Sequence, residues 1–249
     1  MAGERNTNMK IDLYKHIVSD LLKKGDRDRV KKDAYYHKKG GYVSYGITSV
    51  DFRAIMKKYR TDFKELNARQ ALTIIGKFYN SGVEDQIYAG NYIASLRYEV
   101  FNPSNLMIFD KALNNFHTWG TIDDFCVHVF EPLLRKYPKQ IFILLKKWNS
   151  SENMWKRRAS VVAFTRKAGE CGLFTDQALE LCDNLVNDKE DLVQKGVGWA
   201  LKDVMRSDKE KVLEYIKKLR KQGASAVITL YALRDIKGPE KKHILKIKK

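Results

Sequence analysis

Apolar residues along this chain recur three and four positions apart almost from end to end, and no stretch alternates apolar with polar at a period of two. That rhythm belongs to amphipathic helices, because 3.6 residues complete a turn and positions i, i+3, i+4 and i+7 share a face. The spacing predicts helices over IDLYKHIVSDLLKK (11–24) and VKKDAYYHKK (30–39), then a glycine-containing loop, KKGGYVSYG (38–46). Further helices are expected over SVDFRAIMKKY (49–59), DFKELNARQALTIIGKFY (62–79), EDQIYAGNYIASLRYEV (84–100) and NLMIFDKALNNF (105–116). Only four prolines interrupt the pattern, so the connections should be short.

The second half repeats itself weakly. LLKKWNSSENMWKRRASVVAF (144–164), LCDNLVNDKEDLVQKGVGWAL (181–201) and YIKKLRKQGASAVITLYAL (215–233) overlay at a spacing of about 35 to 37 residues, each a helix end, a polar turn and a new helix. Stacked antiparallel helix pairs repeat at that interval, because a single pair cannot bury its apolar face alone. The expected fold is all-α: an α-solenoid of HEAT-like helix pairs with a concave basic groove. It is expected as a single domain over residues 1–249, with basic helices over 1–60 and a basic tail over 236–249.

Charge sharpens this picture. The net charge is +17, and it is concentrated at the ends. Residues 1–60 carry 15 lysines and arginines against 7 acidic residues, and residues 206–249 carry 14 against 5, while 61–205 are balanced. Two basic arms around a neutral centre suit a polyanion gripped at both ends. At 249 residues and 44% apolar content the chain has enough apolar surface for a substantial core. No run of about 18 uncharged apolar residues occurs, nor an apolar leader, so the expected setting is cytoplasmic, nucleoid-associated and off the membrane. Cys126, Cys171 and Cys182 form no CxxC pair and read as core thiols rather than disulfides or zinc ligands.

Candidate chemistry collects at the starts of equivalent helices. HTWGTIDDF places Trp119 and Asp123 four apart, with the helix-breaking Gly120 and the capping candidate Thr121 between them. In NMWKRRASVV, Trp155 and Arg158 lie at i and i+3 with Lys156 and Arg157 between; in QKGVGWALKDV, Lys195, Trp199 and Lys202 share a face. Gly196 and Gly198 each cost about 1 kcal/mol of helix stability relative to alanine, which invites close backbone approach or tight helix packing as their reason. A single tryptophan usually belongs to a core, but an aromatic with a polar partner in three successive repeats fits a nucleic-acid groove, where cations meet phosphates and flat faces meet sugars and bases. Asp123 is the discordant member. Facing phosphates it weakens binding, so it either caps the helix, a role Thr121 or Asp123 can fill, or serves chemistry. Motifs for nucleotide hydrolysis, dinucleotide redox and zinc hydrolysis are missing, and CVH (126–128) offers two metal ligands without a third, so neither cofactor nor metal is expected.

These residues together resemble the AlkD-type DNA glycosylases, the HEAT-like DNA alkylation repair family. Trp119 and Asp123 match its W-x-x-x-D at a helix start, Arg158 in WKRRA its arginine, and Trp199 in QKGVGWALKD its glycine–tryptophan segment. Tyr36 and YGITSVDFR, with Gly46 and Arg53, resemble its N-terminal segment, and the similarity spans roughly residues 10 to 235. The chain departs from the family at Gly120, where an acidic residue is frequent, and at Val50, where proline is usual. The resemblance implies hydrolysis of the N-glycosidic bond of cationic N3- or N7-alkylated purines in duplex DNA, by a monomer, without a base-flipping pocket. It assigns Asp123, Trp119, Trp199 and Arg158 to catalysis; Tyr36 and the cations that flank the tryptophans, Lys156, Arg157, Lys195 and Lys202, are the expected contacts to DNA. A non-catalytic HEAT-like protein binding distorted or branched DNA is the competing expectation, and a protein scaffold whose basic ends are incidental is a third.

Overall fold

The computed structural model describes residues 2–37 and 40–247, with side chains from Leu13 onward. Every regular element among them is helical, as the apolar period requires. The chain divides into two compact units, Met1–Val129 and Phe130–Lys249.

The first unit contains α1 (Ala2–Lys23), α2 (Arg27–Ala34), α3 (Ser49–Lys58), α4 (Arg60–Glu65), α5 (Ala68–Tyr79), α6 (Glu84–Leu96), α7 (Met107–Ala112) and α8 (Trp119–Phe125). Capping residues, more than the apolar pattern, set where these helices begin. The Asp26 side chain accepts from the amides of Asp28 and Arg29, so α2 starts three residues before the expected point and ends at Ala34. Asn67 and Gln70 form a reciprocal capping box, and this divides the expected 62–79 helix into α4 and α5. α5 packs on α6 and α6 on α8, while α1 covers α3 and α5. Between them lies an aromatic core: Tyr79 against Phe116 at 5.2 Å, Phe116 against Phe125 at 5.9 Å, and Phe109 against Phe125 at 5.2 Å. Such tilted pairs add about 0.5–1.5 kcal/mol each beyond the area they bury, and they fix the floor on which α8 rests.

The second unit contains α9 (Glu131–Lys136), α10 (Pro138–Asn149), α11 (Met154–Val162), α12 (Lys167–Glu170), α13 (Thr175–Asn184), α14 (Asp191–Val204), α15 (Lys209–Lys221), α16 (Ala226–Ala232) and α17 (Gly238–Lys246). The three repeated segments become the helix pairs α10/α11, α13/α14 and α15/α16. Their second members form one layer in which α14 packs between α11 and α16. Gly196 and Gly198 face opposite neighbours in that layer. A Cβ on Gly196 would lie 3.3 Å from Val162 of α11, and one on Gly198 would lie 2.7 Å from the Tyr231 Cβ and 2.9 Å from the Ile228 carbonyl of α16. Helix packing is therefore the reason for both glycines. In the other layer the buried Asn149 donates to Ser160 Oγ (2.9 Å) and the Leu181 carbonyl (3.1 Å) and accepts from Asn184 (3.0 Å), tying α10, α11 and α13 with satisfied hydrogen bonds.

Cys126 and Cys182 are buried free thiols and Cys171 is half-buried. Among the described residues no helix is long and apolar enough to cross a membrane.

Candidate active site

The helix carrying Trp119 and Asp123 begins earlier than the sequence suggests. Its cap is Thr118, extended at φ −132° and ψ 153°, whose Oγ1 accepts from the Thr121 amide at 3.3 Å. Neither Thr121 nor Asp123 caps it, because the chain turns helical at Trp119 and carries Gly120 inside the first turn. The reason is steric: a Cβ at position 120 would stand 2.4 Å from the Tyr88 hydroxyl of α6. With the helix started there, Trp119 and Asp123 lie one turn apart on one face. Trp119 is 44% exposed although Thr118 and Thr121 beside it are fully buried. Asp123 is half-buried. Its neighbour Asp124 turns inward instead, accepting from Asn91 Nδ2 at 2.9 Å, and burial raises its pKa against the opposing effects of that hydrogen bond and His128.

Three consecutive residues at the start of α6 hold this site together. Glu84 accepts from Thr118 Oγ1 at 2.6 Å and so pins the cap of α8. Asp85 accepts from Ser44 Oγ (2.7 Å) and the Tyr45 amide (2.6 Å), drawing in the loop after α2, and the Glu84 amide donates to the Val43 carbonyl at 2.8 Å. Gln86 donates to Tyr45 Oη (2.6 Å) and accepts from Tyr14 Oη of α1 (2.7 Å). All three are buried. Burial lifts the Glu84 carboxyl to about 7, even though the Thr118 hydrogen bond favours its ionised form. Burial raises the Tyr88 phenol as well, reinforced by the carboxylates of Glu84, Asp124, Asp123 and Asp85. No local pattern marks these three positions. The signal available in the sequence is a run of polar residues, Glu-Asp-Gln, heading an otherwise apolar helix.

The loop so anchored walls an open cleft of about 490 Å³ beside Trp119. His37 stacks on Tyr42 at 4.5 Å with the planes 10° apart, and it meets the Trp119 ring at 6.1 Å. Tyr36 lines the same cleft and is largely exposed. Burial holds the His37 pKa below its usual value, with Asp33 opposing. The loop reaches this position through Gly46, in the left-handed region at φ +78°, where a Cβ would collide with the Asp26 carbonyl at 2.2 Å.

The remaining sequence-derived residues belong to the second unit. Arg158, on α11, is 5% exposed and donates to the Leu192 carbonyl at the start of α14. Trp199, on α14, is half-buried beneath the Arg166 guanidinium, 5.3 Å from its ring centre. Arg166 itself sits at φ 53° and donates its amide to the buried Asp203 at 2.8 Å. Lys156 is buried. Arg157 pairs with Asp188 at 2.6 Å and also donates to the Ser151 and Glu152 carbonyls. Lys195 pairs with Asp191 at 3.1 Å, and Lys202 with Asp203 at 2.8 Å and Asp235 at 3.6 Å. The structure thus sets Trp119 and Asp123 one turn apart on α8 and Tyr36 in the same cleft as Trp119 within the first unit, and Arg158 and Trp199 on adjacent helices of the second.

Residues 17–236 match the model of a family described as DNA alkylation repair enzyme. A solved structure described as a predicted DNA alkylation repair enzyme from Enterococcus faecalis shares the fold at 16% identity, with a TM-score of 0.72 over 86% of this chain and 97% of that one. No curated protein matches the chain.

Proposed function

This chain belongs to the DNA alkylation repair enzyme family, and from that footing we propose that it is a monofunctional glycosylase for purines alkylated at N3 or N7 in duplex DNA. One observation carries the reading: an exposed tryptophan opens α8, and a carboxylate follows one turn later on the same face. A purely binding surface gains nothing from a carboxylate set among phosphates.

The chemistry asks for few groups. A purine alkylated at N3 or N7 already carries positive charge and leaves as a neutral base without a general acid. As the bond from C1′ to nitrogen breaks, its electron pair goes to the base and the deoxyribose gains oxocarbenium character. The Asp123 carboxylate stabilises that charge and orients a water, whose oxygen bonds to C1′ while its proton passes to the carboxylate or to solvent. The Trp119 ring face supports the same cationic sugar. Arg158 on a neighbouring phosphate and Trp199 as a second ring face rest on the family resemblance. Tyr36, Lys156, Arg157, Lys195 and Lys202 are the proposed contacts to the DNA backbone, with no enclosing pocket for a flipped base. Arg157, Lys195 and Lys202 already face carboxylates, so each phosphate contact there exchanges one anion for another and contributes less than a lone cation would.

Duplex DNA carrying N7-methylguanine tests the reading through release of free base. Asp123→Asn should lower the rate by about 10²-fold or more and leave DNA binding intact. A wild-type protein that releases nothing, or an Asp123→Asn rate equal to wild type, overturns it. Tight, salt-sensitive binding to distorted DNA without base release marks the non-catalytic alternative instead.

A further inference from the structure

Among the described residues Arg166 is the one residue other than glycine at positive φ, with φ 53° and ψ −132°. A side chain is strained in that conformation and glycine is not. The turn that imposes it is locked from several sides. The Arg166 amide donates to the fully buried Asp203 at 2.8 Å, Ser207 Oγ donates to the Gly169 carbonyl at 2.9 Å, and Arg135 donates to the Lys167 carbonyl at 3.1 Å. Gly169 packs so closely on α14 that a Cβ would stand 3.0 Å from the Val204 nitrogen. The backbone therefore gains nothing from arginine at 166, and the reason for it lies in the side chain. Its guanidinium lies 5.3 Å from the ring centre of Trp199, which precedes Asp203 by one turn, so a single face of α14 fixes both the backbone and the side chain of Arg166. Arg166 is exposed, and no carboxylate among the described residues pairs with it. Arg157, Lys195 and Lys202 each face a carboxylate, and Arg158 is buried. A guanidinium resting on a ring keeps its planar fork of donors oriented, and here that fork lacks an anion.

We propose that Arg166 is a further DNA contact of this protein: its guanidinium, aimed by Trp199 and by the locked turn, takes one backbone phosphate of the duplex through two parallel N–H···O bonds. The proposal rests on the reading that the chain acts on duplex DNA and is independent of the chemistry at Asp123. No protein anion is displaced when the phosphate arrives, so this contact contributes more to binding than those at Arg157, Lys195 and Lys202. Backbone strain at Arg166 is then the cost of presenting the fork beside Trp199, since an unstrained turn would send the side chain in another direction.

The test follows binding of the full-length protein to a labelled, undamaged duplex by fluorescence anisotropy, at salt from about 50 to 200 mM. Arg166→Gln should lower the affinity about tenfold at the lowest salt. It should also make the slope of log K against log salt shallower by about 0.9, the contribution of one phosphate. Arg166→Lys, which keeps the charge without the fork, should keep the slope and lose about threefold in affinity. Arg166→Gly should bind as weakly as Arg166→Gln, yet its urea midpoint should stay at or above that of the wild type, because glycine relieves the strain. An unchanged slope and affinity in Arg166→Gln overturns the proposal, as does a midpoint of Arg166→Gly well below wild type, which assigns the arginine to the fold. Single-turnover base release from methylated duplex is measured in parallel. Arg166→Gln should raise the protein concentration for half-maximal release about tenfold and leave the maximal rate within about twofold of wild type. Release with an unchanged salt slope in Arg166→Gln removes this contact and leaves the glycosylase reading standing, whereas a changed slope without any release does the reverse.

Discussion

Gly120→Ala probes the packing that presents Trp119. On helix propensity alone the change should stabilise, since glycine inside a helix costs up to about 1 kcal/mol relative to alanine. The structure predicts the opposite sign. The new methyl would stand 2.4 Å from the Tyr88 hydroxyl, so either that half-buried ring or the first turn of α8 must move. Overpacking of this kind costs about 1–3 kcal/mol, and the net loss should be about 1–2 kcal/mol. Tyr88→Phe removes the obstructing oxygen and leaves the ring Cζ, 3.7 Å away, as the nearest atom of that side chain, an ordinary contact. In the Tyr88→Phe background, therefore, Gly120→Ala should be neutral or stabilising by up to about 1 kcal/mol. The double-mutant cycle should show a coupling of about 1–3 kcal/mol, read as urea midpoints at constant m value. Base release should follow the same pattern, falling in Gly120→Ala and recovering in the double variant. Additive effects, or a stabilising Gly120→Ala with Tyr88 intact, would refute the reasoning. The same contact explains why glycine stands where the resembled family often has an acidic residue: a longer side chain has no room beneath Tyr88.

Further outcomes follow from the same geometry. Glu84 titrates near 7 in the fold and near 4.5 unfolded, so the stabilising influence of its protonated form is complete below about pH 4.5 and is lost as pH rises through 7. The loss amounts to about 3 kcal/mol, and Glu84→Gln should flatten the fall in stability between pH 5 and 8; an unchanged slope would show that Glu84 does not titrate there. Gly198→Ala should destabilise by about 2 kcal/mol despite its propensity gain, because the methyl meets the backbone of α16 at 2.9 Å; a raised melting temperature would contradict the packing described. Asn67→Ala should cost about 1 kcal/mol by removing the cap of α5, with thermal unfolding as the measure.

Much of the architecture is legible in the chain. A helical period sustained through the sequence leaves no room for strands, and the three overlaid segments of the second half coincide with three helix pairs. Boundaries are less legible, because they depend on single side-chain bonds. Asp26 starts α2 early, Asn67 cuts one expected helix in two, and Thr118 caps a helix whose start looks, from Gly120, as though it should fall later. Gly120 reads as a breaker only until Tyr88, 32 positions away, is placed over it. The candidate site shows the same division. Trp119 and Asp123 are visible as an i, i+4 pair, whereas His37, Tyr42 and Glu84 meet only because Asp85 draws in a loop from 40 positions upstream. Cross-chain hydrogen bonds of that kind leave no periodic trace.

Glu84, Asp85 and Gln86 secure three separate partners from one turn of helix: the cap of α8, the loop after α2, and α1. Fraying of that turn would release all three at once, so amides of the loop and of the α8 cap should exchange with solvent as one cooperative group rather than independently. Thermal softening of this region would then erase the floor, wall and rim of the cleft in a single event, and the protein would lose its candidate catalytic surface well before its aromatic interior melts.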